Sequence, residues 1–155
     1  MFLNDSTLRV CVSGASGWTA YKGSIDGNKT AGLEKYCSGS GNPVSVAFFE
    51  DKVYALSAGA SSNSSSISVS DAGGNRSDVN LDCSAKKILL SGETVFAQCA
   101  NDHFIWFNID TNMSHDIDNN DFKDVSVKTI NVNNGKFCVL YSDDSVVLSD
   151  IASLN

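Results

Sequence analysis

Three short apolar segments recur at one spacing along the chain. Val53-Tyr54-Ala55-Leu56, Val95-Phe96-Ala97-Gln98 and Phe137-Cys138-Val139-Leu140 begin 42 residues apart, twice over. A further step of 42 backwards from Val53 lands on Cys11, inside Leu8-Arg9-Val10-Cys11-Val12. Each segment is short and rich in β-branched and aromatic residues, which is the signature of a strand. A fixed period of this size signals a repeat whose unit cannot bury its own faces and must stack on its neighbours.

The flanking segments repeat too. Val44-Ser45-Val46-Ala47-Phe48, Lys86-Lys87-Ile88-Leu89-Leu90 and Lys128-Thr129-Ile130-Asn131-Val132 each precede a tight turn, at Glu50-Asp51, Ser91-Gly92 and Asn133-Asn134-Gly135. Asn-Gly between two β-rich runs favours a hairpin because both residues tolerate positive φ. In the first repeat only Phe2-Leu3 is left to supply this strand. After the recurring strand come Gly23-Ser24-Ile25-Asp26, Ser68-Val69-Ser70-Asp71, Phe107-Asn108-Ile109-Asp110 and Val147-Leu148-Ser149-Asp150, read as third strands that each end in Asp. A carboxylate there can accept backbone N–H groups of the following turn. Weaker fourth strands are expected around Glu34–Cys37, Val79–Cys83 and His115–Ile117, and none in the last repeat. The expectation is an all-β chain of about four four-stranded antiparallel blades. They span approximately 1–41, 42–84, 85–125 and 126–155 as one domain, with both terminal blades incomplete. A β-sandwich of short strands is the alternative.

This period and strand order resemble the WD40-like β-propeller repeat family across essentially the whole chain. The resemblance is one of spacing. No Gly-His opens a repeat, and Ile25-Asp26, Ser70-Asp71, Ile109-Asp110 and Ser149-Asp150 stand where the family has Trp-Asp. It implies a non-catalytic protein-interaction scaffold within a larger complex or a longer propeller. A ring of four blades is small, and unpaired edges invite another chain. Self-association, or a second chain completing the propeller, is therefore expected.

Composition narrows the partners. Eleven basic residues against eighteen acidic give a net charge of −7. Nucleic-acid surfaces need clustered cations, so neither a nucleic acid nor a membrane is expected as partner. The five cysteines, Cys11, Cys37, Cys83, Cys99 and Cys138, form no CxxC or Cys/His ligand pattern. All five are expected to be reduced, in the cytoplasm or nucleus.

No motif for a cofactor or for catalysis is expected to operate. Gly39-Ser40-Gly41-Asn42-Pro43 lacks the third glycine of a phosphate loop, and Gly14-Ala15-Ser16-Gly17 misses nucleophile-elbow spacing by one residue. Asp116, Asp118 and Asn120 match the first three ligands of a calcium loop, but Asp121 and Val127 stand where Gly and Glu are wanted. A sugar- or calcium-binding β domain, or a propeller enzyme with a channel site, is the alternative function. The Ser-rich run from Ser57 to Ser70 reads as a long loop. Blade register would gather Trp18, Asp102, His103, Asp143 and Asp144 on one loop-bearing face. That face would be acidic and suited to a basic protein partner.

Overall fold

The computed structural model describes residues 2–4, 7–26, 29–30, 32–100, 104–109, 111, 113–117, 127–133 and 135–151. Within them the chain is all-β and forms four antiparallel sheets. The first holds β1 (Phe2–Asn4), β2 (Thr7–Gly14), β3 (Gly17–Asp26), β4 (Lys29–Thr30) and β5 (Glu34–Gly39), with β5 pairing along β3. The second holds β6 (Ser45–Phe49), β7 (Lys52–Ala58), β8 (Ser65–Asp71) and β9 (Arg76–Leu81) in that spatial order. The third holds β10 (Ala85–Ser91), β11 (Thr94–Cys99), β12 (Phe104–Asn108) and β13 (Met113–Ile117). The fourth has three strands, β14 (Val127–Asn133), β15 (Lys136–Tyr141) and β16 (Val146–Asp150). This is the architecture of a partial, blade-built propeller. The chain divides into two compact units, 1–84 and 85–155, with two sheets in each.

Tight turns set the register. The first hairpin of each sheet closes on Asn4↔Thr7, Phe49↔Lys52, Ser91↔Thr94 and Asn133↔Lys136. Positive φ at Glu50 (49°), Gly92 (59°) and Gly135 (72°) lets the chain reverse within so few residues. Thr7, Lys52, Thr94 and Lys136 are thus equivalent, at intervals of 45, 42 and 42. The structural counterpart of Val53 is therefore Leu8, not Cys11. Three positions is an odd offset, and in a strand an odd offset places the side chain on the opposite face.

The third strands β3, β8 and β16 end in Asp26, Asp71 and Asp150 as expected, and Asp110 lies outside the described residues. Thr7, Lys52, Thr94 and Lys136 face Ser24, Asp71, Asn108 and Asp150 across their sheets. Only two of these four positions carry Asp. Lys136 donates to Asp150 at 2.8 Å, whereas Asp71 closes its turn by accepting from the backbone N–H of Asn75 at 2.9 Å. Most of the Ser-rich run is strand rather than loop. The connection is residues 59–64, tied by Gly59 N–H to the Ser64 carbonyl at 2.9 Å and by Ser61 N–H to Ser64 Oγ at 3.1 Å.

Each unit is held together by one sheet lying on the next. Residues directly opposite one another in a sheet share a face. In the first unit, Trp18, Ala20 and Cys37 on the forward face of sheet 1 pack on Phe48, Val53 and Ala55 of sheet 2. In the second, Phe96, Phe104 and Trp106 of sheet 3 pack on Val127, Ile130, Phe137, Val139 and Tyr141 of sheet 4. The Phe96 and Phe137 rings stack there with centroids 6.2 Å apart. Both junctions draw on the third strand of one sheet and the first two strands of the next. This explains why the apolar segments recur.

The cysteines depart from the expected reduced set. Cys11, Cys37 and Cys138 are free thiols, but Cys83 and Cys99 are disulfide-bonded. Disulfides persist in oxidising compartments, so thiol chemistry no longer argues for the cytoplasm or nucleus. Among the described residues no helix is long and apolar enough to cross a membrane. A thiol count on the denatured, unreduced chain is expected to return three groups, rising to five after reduction. Five before reduction would contradict the bond.

Candidate functional site

Blade register puts Trp18 on the loop-bearing face, with burial between blades as the alternative, and it lies in the core. It is 2% exposed, because its position on β3 faces sheet 2. Its neighbour across the sheet is Gly39 on β5. A Cβ at residue 39 would come within 2.6 Å of the indole, so the pairing works only with glycine there. Gly17, at φ 150°, is similarly bound to that edge, since its Cβ would meet the Gly39 carbonyl oxygen at 2.4 Å.

Asp143 and Asp144 are exposed in the β15–β16 turn. Asp144 has positive φ, at 65°, and forms an ion pair with Lys128. Asp143 accepts from Ser145 N–H at 2.9 Å, which fixes the turn. Two carboxylates on a short rigid turn present a local acidic point, partly offset by Lys128. Asp102 and His103 lie outside the described residues, as do Asp118 and Asn120. Asp116 falls on β13, which places its backbone only. Among the described residues no group of three or more His, Cys, Asp or Glu is arranged to hold a metal ion.

A second charged cluster was not foreseen in the sequence. Arg9 on β2 faces Lys22 on β3, and both reach the β6–β7 turn. Lys22 Nζ donates to Asp51 Oδ1 at 2.6 Å, and Arg9 Nη2 lies 3.9 Å from the same oxygen. The Arg9 side chain is only 9% exposed, although it occupies the register position that Phe96 fills in sheet 3. The hydrogen bond from Lys22 is the main cause holding the Asp51 carboxyl below its ordinary value of 3.8. Burial drives the nearby Tyr36 hydroxyl well above its usual range. The cluster fastens sheet 1 to the turn of sheet 2 by charge where sheets 3 and 4 use aromatic rings. The alternation of Arg9 with Leu8 and Val10 was the available signal. A lone arginine in an apolar strand points to a specific partner.

One cavity of about 270 Å³ opens between β5 and the β8–β9 turn, lined by Lys35, Tyr36, Cys37, Asp71, Asn75 and Arg76. Its polar walls bond one another. Asp71 holds Asn75 through both carboxylate oxygens, and Arg76 donates to Asp78 and Ser68 at 3.1 and 3.0 Å. Burial raises the Cys37 thiol beside it to about 11, so it stays protonated and a poor nucleophile at neutral pH.

No protein-family model matches the chain, and no curated protein matches it in sequence. Solved structures match by fold. A crystal structure of HIRA residues 644–1017, a WD40 propeller protein, superposes with a TM-score of 0.60 at 14% identity. The match covers 97% of this chain and 54% of that one. The computationally designed Ika8 protein superposes at 0.59 with 10% identity, covering 97% of this chain and 57% of that one. The fold class is thus propeller-like β. The chain spans little more than half the length of the structures it matches.

Two expectations follow. Trp18→Ala should cost about 3–5 kcal/mol in denaturant unfolding, the scale of a buried aromatic deletion; a loss below about 1 kcal/mol would put the indole on the surface. Asp51 is charged in the folded chain at lower pH than in the unfolded one, so its contribution is present above pH 3.8 and lost as pH falls through the depressed folded value. The melting-temperature gap between the wild type and Asp51→Asn should therefore be open at pH 6 and narrow as pH falls below 3.8. A gap independent of pH would exclude the pairing.

Proposed function

We propose that this chain is a non-catalytic protein-interaction module, a set of propeller blades acting within a larger assembly. The observation that carries the reading is the fold itself. Four sheets of blade type follow one another over nearly the whole chain, as in the propeller structures they resemble. Stacked strands form a rigid frame, and rigid frames commonly present binding residues on their turns. Fold alone does not fix function, so the choice of partner rests on the surface. The chain carries −7 net charge, and the Asp143-Asp144 turn is exposed. A protein with a basic patch suits that surface, through faster encounter more than through tighter contact.

The test is the set of proteins retained by the folded chain, compared between wild type and the double variant Asp143→Lys, Asp144→Lys. Partners with basic surfaces should be recovered with the wild type and depleted with the variant, and added salt should weaken wild-type recovery. An identical set from both proteins would remove this turn as the contact. Failure to retain any protein above background would remove the scaffold reading.

A further inference from the structure

The first and last sheets each leave uncovered a face that is buried elsewhere in the same chain. Lys136↔Asp150 aligns on Thr94↔Asn108, so Cys138, Val146 and Leu148 in sheet 4 hold the positions of Phe96, Phe104 and Trp106 in sheet 3. Those three aromatic residues are buried against β14 and β15. Their counterparts are not: Val146 is 59% and Leu148 62% exposed. Leu140, opposite Val146, extends the same face and is half-buried. The rear face of sheet 1 shows the complementary case. Leu8, Val10 and Val12 hold the positions of Phe137, Val139 and Tyr141 in sheet 4. In sheet 4 all three are buried, whereas in sheet 1 Leu8 is buried, Val10 is half-buried and Val12 is 57% exposed.

One chain therefore carries exposed apolar residues on the forward face of its last sheet and on the rear face of its first. Both are built from the residue types that meet at its own sheet junctions. Singly exposed apolar residues are ordinary, but a contiguous apolar patch on a sheet face marks an interface. The chain also covers only 54% and 57% of the two solved structures it matches. About as many sheets again would complete such an array, and a second copy supplies that number. We infer that a second copy of this chain seats Val10 and Val12 of its first sheet on Cys138, Leu140, Val146 and Leu148 of this chain's last sheet. The inference rests on the blade reading above and names the partner of its open faces. The contact is heterologous, joining two different surfaces. Each copy offers one of each, so two copies can use both contacts.

The experiment is sedimentation equilibrium of the whole chain over a wide concentration range, with circular dichroism to confirm that each variant is folded. The wild type should reach twice the 16.4 kDa of the chain or more as concentration rises. Leu148→Glu with Val146→Lys should abolish this and leave a 16.4 kDa species. Val12→Glu alone should do the same from the other face. An equimolar mixture of the two variants should associate again, because one keeps the forward face and the other the rear face. A forward-to-forward contact could not be rescued in this way. The inference is overturned by a wild type at 16.4 kDa throughout, by association that survives either variant, or by a mixture that stays monomeric. None of these outcomes bears on the interaction-module reading, which is judged by partner recovery at the Asp143-Asp144 turn.

Discussion

The structure depends on the burial of one sheet face under the next. A sheet of three or four short strands has two faces and little interior. It gains stability only when a second sheet removes apolar surface from water, at roughly 25 cal/mol per Å². Here the burial is specific in register. Trp18 and Ala20 meet Phe48, Val53 and Ala55 in one unit, and Phe96, Phe104 and Trp106 meet Phe137 and Val139 in the other. Side chains alternate between faces along a strand, so each middle strand presents two interleaved sets of residues, one to each face of its sheet. A shift of one residue would exchange the sets and present polar groups to the core. The tight hairpins, with positive φ at Glu50, Gly92 and Gly135, prevent that shift.

The same arrangement decides where function can reside. Residues at the junctions are committed to packing, as Trp18 shows. Turns remain, and so do the outward faces of the first and last sheets. The Arg9–Lys22–Asp51 cluster marks the boundary between these roles. It lies at a junction, yet it holds by charge and depends on pH. An arginine at the register position of Phe96 exchanges dispersion and apolar burial for an ion pair, at 3.9 Å, with Asp51. Such pairs are worth little when exposed, so this junction leans more on the Trp18 indole and on the close approach that Gly39 permits.

Much of the fold was legible in the sequence, and the reason is physical. The apolar segments at Val53 and Phe137 recur because each faces the preceding sheet of its own unit, and the Asn-Gly turn is written in residues that accept positive φ. What was not legible depended on tertiary register. The first repeat is longer by three residues, which moved the equivalence from Cys11 to Leu8. No local signal revealed this, because both residues sit in one apolar strand. Asp ends the third strands at Asp26, Asp71 and Asp150, as read from the sequence, but stands across from the hairpin residue only at Asp71 and Asp150. Trp18 illustrates the difficulty of reading sites. A tryptophan beside a hairpin glycine fits an exposed loop or a core, and only pairing with Gly39 decides. That Cys83 and Cys99 are disulfide-bonded depends on spatial placement, to which spacing gives no guide.

The account stands on sheet-to-sheet packing, and the Phe96–Phe137 pair tests it most directly. These rings come from different sheets, 41 positions apart, and touch only if sheet 3 lies face to face on sheet 4. A double-mutant cycle with Phe96→Ala and Phe137→Ala, read by denaturant unfolding, should show a coupling of about 0.5–1.5 kcal/mol, as expected for an aromatic pair in contact. Losses that simply add would mean that the two rings do not meet, and the stacked-sheet architecture would then be wrong.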